Sequence, residues 1–576
     1  MGRSHKIWEL SLAAVMPLTL FAQRPSFRTA TSLVIVPVAV HDKHGLPVRG
    51  LPPTEFTVLV DGHPVQLAGF EPAATTPPQS APAASLEPTP PISFTNTPDL
   101  HARSESANLV ILLIDFLNTS LADRLALRSQ TLKFLSHDLH ATERLGIYGL
   151  SSSLVVIQPF TRDPAVLVMA ARNMLHGKEM LSRDSIQGQP LDRPGLDPHK
   201  IEVSEESDAA IELLSARSAR IASNLNQFDR AARTLAEFRQ LARAFSRVPG
   251  KKSVIWLTGA ASPLNPSLLY TVLLYEPELA TLRTPWWQIA KTYELLEDAG
   301  ISLFPVDVRG LLNQGLNQAS ETLTHNEFRQ SIGESQSTDE SVYSGVTDMR
   351  QGEAANALLA MQTAAAETGG TVLQGSNDIA KLLDQAQSLW QAYYQLAIKP
   401  PAAGERATYH RITIKLANKG LRPIARRGFL VPPASMMAAD HEVQNDLSEA
   451  AQSELDATAL ELRVTLQPAV IREGHRVIPF QLQIAADDLN PDSLGSGFRY
   501  DLIVATIIRD DHGRIVTSHG EHLTATLSSF QWAAMRQAGL KVILGLEAPA
   551  EHSRTARVIV RDSDSGRIGS VTFALP

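Results

Sequence analysis

Between Leu109 and Ile114 the chain runs Leu-Val-Ile-Leu-Leu-Ile without one polar side chain, then turns polar through Asp115, Asn118, Thr119 and Ser120. An apolar run with no alternation is what a strand covered on both faces requires, which points to a parallel sheet packed between helices. Ligands of open α/β sheets collect just beyond the carboxyl ends of such strands. Asp115 and the amide and hydroxyls behind it therefore stand where chemistry is expected.

The same rhythm returns downstream. Leu145–Gly149, Lys252–Gly259 and Ile301–Asp307 read as further strands, and Pro305 suits an edge better than a central ladder position. Between them Leu125, Leu132 and Leu135 recur near helical spacing, and Leu235, Phe238, Leu241 and Phe245 make one apolar stripe closed by Pro249-Gly250. This alternation predicts a doubly wound α/β domain over 107–400, with polar excursions at 175–220 and 312–350.

On either side the patterns are those of strands. Residues 31–71, with the turn pair Asp61-Gly62, predict a small β domain, either a small sandwich or a sheet packed on its neighbour, and 72–106, dominated by Pro, Ala, Ser and Thr, a linker. A β extension is expected over 401–435 and a polar, partly helical linker over 436–455. Alternation at Leu462, Val464, Leu466 and at Phe480, Leu482, Ile484 predicts a β-sandwich over 456–576. The fold class is thus multidomain, α/β plus β. The acidic stretches Asp510–Gly513 and Asp562–Gly566 read as turns before they read as calcium loops.

Composition removes several functions. A chain of 576 residues is too long for one core, and a net charge of -8 gives no footprint for nucleic acid. With no cysteine, disulfides, thiol nucleophiles and thiolate metal sites are all excluded. At the amino terminus Arg3, His5 and Lys6 precede the apolar run Leu10–Ala22, so 1–23 is expected to be a signal peptide. That places the chain as secreted, periplasmic or cell-envelope associated. No run is long enough for a spanning helix, so the mature chain is expected without an integral membrane segment.

Several motifs occur in a fixed order. They are the Val-rich strand Leu33–Val40 with Gly50-Leu51 and Phe56 leading to Asp61-Gly62; Leu112–Ser120; Phe160–Asp163; Lys252–Gly259; Phe304–Gly310; Glu367–Gly370; and Tyr393–Leu396. Together, over roughly residues 31–432, they resemble the bacterial von Willebrand factor type A-related proteins found prominently in acidobacteria.

The resemblance implies a Rossmann-like domain, an adhesion-type activity and Mg²⁺ held by a loop of the form Asp-x-Ser-x-Ser. Laid on this chain, that loop puts Asp115 at the aspartate, Leu117 at the first serine and Thr119 at the second, with Ser120 as a substitute oxygen. Leu117 supplies no oxygen, and the later strand ends Thr258-Gly259-Ala260 where the family has Thr-Asp-Gly. The expectation is a degenerate metal loop at Asp115, Thr119 and Ser120, with either no cofactor or Mg²⁺. Without an ion, its hydroxyls and carboxylate serve helix N–H groups.

Asp115-x-Leu117-x-Thr119 also resembles the Asp-x-Asp-x-Thr loop of aspartate-nucleophile phosphatases, but Leu117 replaces the carboxylate that moves the proton. No nucleophile elbow, phosphate loop or zinc helix is present. The chain is therefore expected to be an exported, non-enzymatic binding protein. Asn118, Thr258 and Asp307 are its expected contacts with a protein partner; Asp307 otherwise caps its strand or pairs with Arg309. A structural envelope component without ligand is the alternative, and a phosphoester hydrolase the distant one.

Overall fold

A computed structural model describes residues 34–72, 93–97, 109–174, 229–259, 286–309, 357–431, 440–494, 497–547 and 555–575, with short interruptions at 45, 120, 139–143, 152, 249–251, 391–392, 402–407 and 473–474. The signal segment 1–23, both excursions and Ser120 lie outside the described residues.

In chain order, four short strands come first: β1 (Val34–His41), β2 (Phe56–Val60), β3 (His63–Val65) and β4 (Leu67–Glu71). After β5 (Ser93–Thr95) come β6 (Leu109–Asp115), α1 (Leu121–Lys133), β7 (Arg144–Leu150), β8 (Leu154–Thr161) and α2 (Pro164–Met174). Helix α3 covers 229–245, followed by β9 (Lys252–Thr258), α4 (Trp286–Asp298) and β10 (Ile301–Asp307). Helix α5 covers 357–368, and α6 (Ile379–Trp390) leads to β11 (Tyr393–Ile398), β12 (Thr408–Leu416), β13 (Arg422–Ala425) and β14 (Gly428–Val431). The remainder is α7 (Asp440–Gln452), β15 (Leu462–Leu466), β16 (Val470–Arg472), β17 (His475–Ile484), β18 (Asp492–Leu494), β19 (Gly497–Arg509), β20 (Ile515–Ser528), α8 (Ser529–Ala538), β21 (Leu540–Glu547), β22 (Thr555–Asp562) and β23 (Ile568–Ala574).

The central sheet has the order β10-β9-β6-β7-β8; its first four strands are parallel, and β8 is antiparallel at one edge. Every residue of β6, β9 and β10 is buried, as their apolar runs demand. Leu109, Ile111 and Leu113 face α3, α4 and α5, while Val110, Leu112 and Ile114 face α1, α2 and α6. Helices thus cover both faces. Pro305 lies in β10, at the other edge, where a missing ladder N–H is tolerated.

Around this sheet the chain is interleaved in ways the sequence does not announce. Residues 31–71 do not stand alone: β1–β4 combine with β11–β14 into one sandwich, with sheets β13-β1-β11-β4 and β14-β12-β2-β3. Strand β11, which its position assigns to the α/β region, is instead central in the first of these sheets, and Tyr394 packs on Phe56 at 4.9 Å between ring centroids. The Pro-rich linker is also more than a spacer. Its strand β5 pairs with β15 of the C-terminal sandwich, and Phe94 stacks on Phe573 at 4.9 Å.

That sandwich packs β5, β15, β17 and β21 against β20, β19, β22 and β23. Among the described residues no helix is long and apolar enough to cross a membrane.

Candidate functional site

The register of the parallel ladder builds the site. Ile114 lies opposite Leu257, so Asp115 leaves β6 beside Thr258. Its side chain continues the face of Leu109, Ile111 and Leu113, and Trp256 belongs to the same apolar cluster, edge-on to Phe238 with ring centroids 5.1 Å apart. Trp256 is fully buried, and an indole N–H enclosed in that way needs an acceptor.

Asp115 is that acceptor. Its Oδ2 accepts from Trp256 Nε1 at 2.9 Å, Thr258 Oγ1 at 2.8 Å and Asn118 Nδ2 at 2.9 Å, while Oδ1 accepts from the Asn118 backbone N–H at 2.8 Å. All four donors are neutral, and Asp115 is 0% exposed. Burial pushes its pKa above the usual carboxylate value against the pull of these four hydrogen bonds.

The loop is tied on every side. Asn118 Nδ2 also donates to Thr234 Oγ1 of α3 at 3.0 Å, and that hydroxyl donates to Arg230 O at 2.8 Å. Thr119 Oγ1 accepts from the Gly259 N–H at 3.0 Å. A Cβ on Gly259 would lie 3.2 Å from Thr119 Cα, so the glycine permits the two loops to approach. From the first turn of α1, Arg124 donates to Thr119 O at 2.9 Å and to Phe116 O, and its guanidinium sits 5.9 Å from the Phe116 ring centroid. Leu117 turns onto the apolar cluster beneath α3.

The described residues of the loop do not offer Mg²⁺ the oxygen set it needs. The ion takes an almost octahedral oxygen set and dehydrates reluctantly. Here Asp115 Oδ2 already receives three donors, Thr119 Oγ1 receives one, and Leu117 contributes no oxygen. Among the described residues no group of three or more acidic, histidine or cysteine side chains converges to hold a metal.

Asn118, Thr258 and Asp307, the expected partner contacts, are 5%, 0% and 5% exposed, so most of each side chain lies beneath the surface. Asp307 is gripped by Arg309, which donates from Nε at 2.8 Å, Nη2 at 2.6 Å and its backbone N–H at 3.1 Å. No hydrogen bond joins Asp307 to Asp115.

Trp256, Thr234 and Arg124 complete the site without having been legible as parts of it. One signal was available: Trp256 and Thr258 are two residues apart on a strand, hence on one face. The acidic turns are self-capped. Asp510 Oδ1 accepts from the N–H groups of His512 and Arg514 at 2.9 and 2.8 Å, and Asp562 Oδ2 accepts from Ser565 Oγ at 2.7 Å and Asn490 N at 3.1 Å.

No family model and no curated protein matches the chain. Solved structures similar to it include an aerotolerance-related membrane protein from Bacteroides fragilis, at 9% identity over 49% of this chain and 98% of that one, with a TM-score of 0.23. BatB, a conserved hypothetical protein from Bacteroides thetaiotaomicron, is similar at 11% identity over 49% and 98%, with a TM-score of 0.22. An endonuclease/exonuclease/phosphatase from Beutenbergia cavernae is similar at 10% identity over 33% and 39%, with a TM-score of 0.11. At these scores the likenesses carry no argument about fold or function.

Proposed function

We propose that the chain is an exported protein-binding component whose central unit is a von Willebrand factor type A-like domain working without a metal ion. The observation that carries the metal-free part is the engagement of both Asp115 oxygens by Asn118, Trp256 and Thr258. A carboxylate so enclosed serves as the keystone of a preformed loop, and recognition of a partner falls to the surface which that loop supports. The parallel order β10-β9-β6-β7, with helices on both faces and the loop at the carboxyl end of β6, supports the domain assignment.

Phosphoester hydrolysis is the second reading. It needs the Asp115 carboxylate in line with a phosphorus atom and a second group to move the proton. The enclosure of Asp115 and the apolar Leu117 speak against both.

One set of measurements separates the readings. Thermal unfolding of the full chain with EDTA, Mg²⁺ or Mn²⁺ is expected to give the same midpoint, and p-nitrophenyl phosphate is expected to remain unhydrolysed. A midpoint raised by the ions overturns the metal-free reading, and turnover abolished by Asp115→Asn establishes the hydrolase. If immobilised chain retains no protein from an envelope extract of its host, with or without EDTA, the ligand-free structural role replaces the binding one.

A further inference from the structure

Strand β20 is 14 residues long and pairs with β19 along its length, while no described residue pairs with its other edge. Edges of that length are usually blunted by charged side chains, lysine above all, by proline, by bulges or by a covering segment. The sequence Ile515–Ser528 contains neither lysine nor proline, and Glu521 is its one acidic side chain. At its middle, His519 and Glu521 share a face with 3.3 Å between Nε2 and Oε1, their side chains 66% and 41% exposed. Gly520 separates them, and a Cβ placed there would meet nothing within 4 Å.

The period of a strand restricts how such an edge can meet its own copy. Residues directly opposite each other must lie on the same face, so an antiparallel pair of identical strands related by a twofold axis places one residue opposite itself. Centring on Glu521 sets carboxylate against carboxylate. Centring on His519 or His522 sets imidazole against imidazole. Centring on Gly520 puts no side chain on the axis and opposes His519 to Glu521 of the second copy, twice. The same register sets Ile515, 53% exposed, against Ala525 of the second copy.

We propose that β20 is a self-pairing edge, joining antiparallel to β20 of a second copy of this chain about a twofold axis through Gly520. The sheet β22-β19-β20 then continues across the axis into its symmetry mate. An edge lysine repels every strand alike, whereas a histidine and a glutamate flanking a glycine become two matched cross-strand pairs only in this register.

Because the chain contains no cysteine, Gly520→Cys introduces its sole thiol. In the proposed register the two Cα atoms at 520 lie about 4.5–5.5 Å apart, within the roughly 4.4–6.8 Å that a disulfide spans. The two Cα atoms at 524 are displaced by about 27 Å along the strands. Oxidised glutathione is therefore expected to convert Gly520→Cys, but not Thr524→Cys, into a covalent dimer.

In sedimentation, the wild-type full chain is expected to be dimeric, and Glu521→Lys to associate at least about tenfold more weakly. The double variant His519→Glu, Glu521→Lys is expected to recover the dimer, with far-UV circular dichroism checking the fold of each variant. A monomeric wild type, equal cross-linking at 520 and 524, or Glu521→Lys dimerising as tightly as wild type would each overturn the proposal.

Discussion

Asp115 is a buried carboxylate whose charge is met by hydrogen bonds alone. Truncation to Asp115→Ala removes the acceptor of the Trp256 N–H, of the Asn118 backbone N–H and of one Asn118 Nδ2 hydrogen bond, although the Thr258 hydroxyl can rotate. Each buried donor left unmet costs about 1–3 kcal/mol, so the variant is expected to lose about 3 kcal/mol in urea unfolding. A loss under about 1 kcal/mol would mean that the enclosure contributes nothing to the fold. Asp115 and Thr119 could be read from the sequence because an apolar run ending in polar residues marks a strand exit. Trp256 and Thr234 could not, because they arrive from 141 and 116 residues away through sheet register and helix packing.

Helix α7 carries the corresponding lesson for elements, since 436–455 reads as a polar, partly helical linker whose burial the sequence does not show. Glu442, Asp446 and Glu449 fall on one face, with no cation nearby in sequence, which is how a solvated stripe looks. In the fold that face is buried against three other elements. Arg243 of α3 donates to Asp446 at 2.6 Å and to Glu449 at 2.8 Å. Lys291 of α4 bonds Glu442, and Arg561 of β22 donates to Asp446 at 3.2 Å. The exposed carbonyls at the carboxyl end of α7 are taken by Arg557, which reaches Ala450 O at 3.0 Å and also Ser453 O, and by Arg509, which bonds Ala451 O.

Asp446→Ala strands the buried charge of Arg561 and leaves Arg243 with Glu449 alone, and is expected to cost about 3–5 kcal/mol in chemical denaturation. Loss of under about 1 kcal/mol would make the network dispensable. Burial raises the Asp446 pKa, but the surrounding Arg243, Lys291 and Arg561 together hold it below the usual carboxylate value of 3.8. Its contribution is therefore present above that value and lost on acidification below it.

Glu237 of α3 acts in a different window with the opposite sign. It accepts from the Leu154 N–H at 2.9 Å, and burial pushes its pKa from 4.5 up to about 7. The folded chain holds this proton more tightly than the unfolded one, so the group's favourable contribution is complete below 4.5 and disappears as pH rises through about 7. Glu237→Gln keeps an acceptor for Leu154. It is expected to gain stability at pH 8, on the order of 2 kcal/mol, and to flatten the slope of stability against pH between 5 and 7. An unchanged slope in urea titrations across that range would assign the pH dependence elsewhere.

At the scale of the whole molecule, the chain shares strands between bodies. The first sandwich is opened after β4, receives the α/β unit, and is closed by β11–β14; Val34 pairs with Ile398 across the entire insertion. Alternation in a sequence says that one face of a strand is buried but not which strand lies beside it. That is why the strands themselves were legible and their grouping was not. Strand β5 is the sharper case, since three residues between prolines carry no period at all.

Beside the ladder with β15 and the Phe94–Phe573 stack, the Asn96 side chain fastens β5 to the C-terminal sandwich. Asn96 is 5% exposed; its Nδ2 donates to Ala457 O and Leu460 O at 2.7 Å each, and its Oδ1 accepts from the Leu462 N–H at 2.9 Å. These bonds cross 361, 364 and 366 residues of sequence. Asn96→Ala removes all three and leaves the Leu460 carbonyl and the Leu462 N–H uncovered beside β15, while the Ala457 carbonyl keeps the Ser570 N–H at 2.9 Å, a loss of about 2 kcal/mol. Hydrogen exchange is then expected to quicken in Ala457–Leu466 as well as in Ser93–Thr97. Faster exchange confined to Ser93–Thr97 would show that the strap is carried by the sandwich and does not brace it.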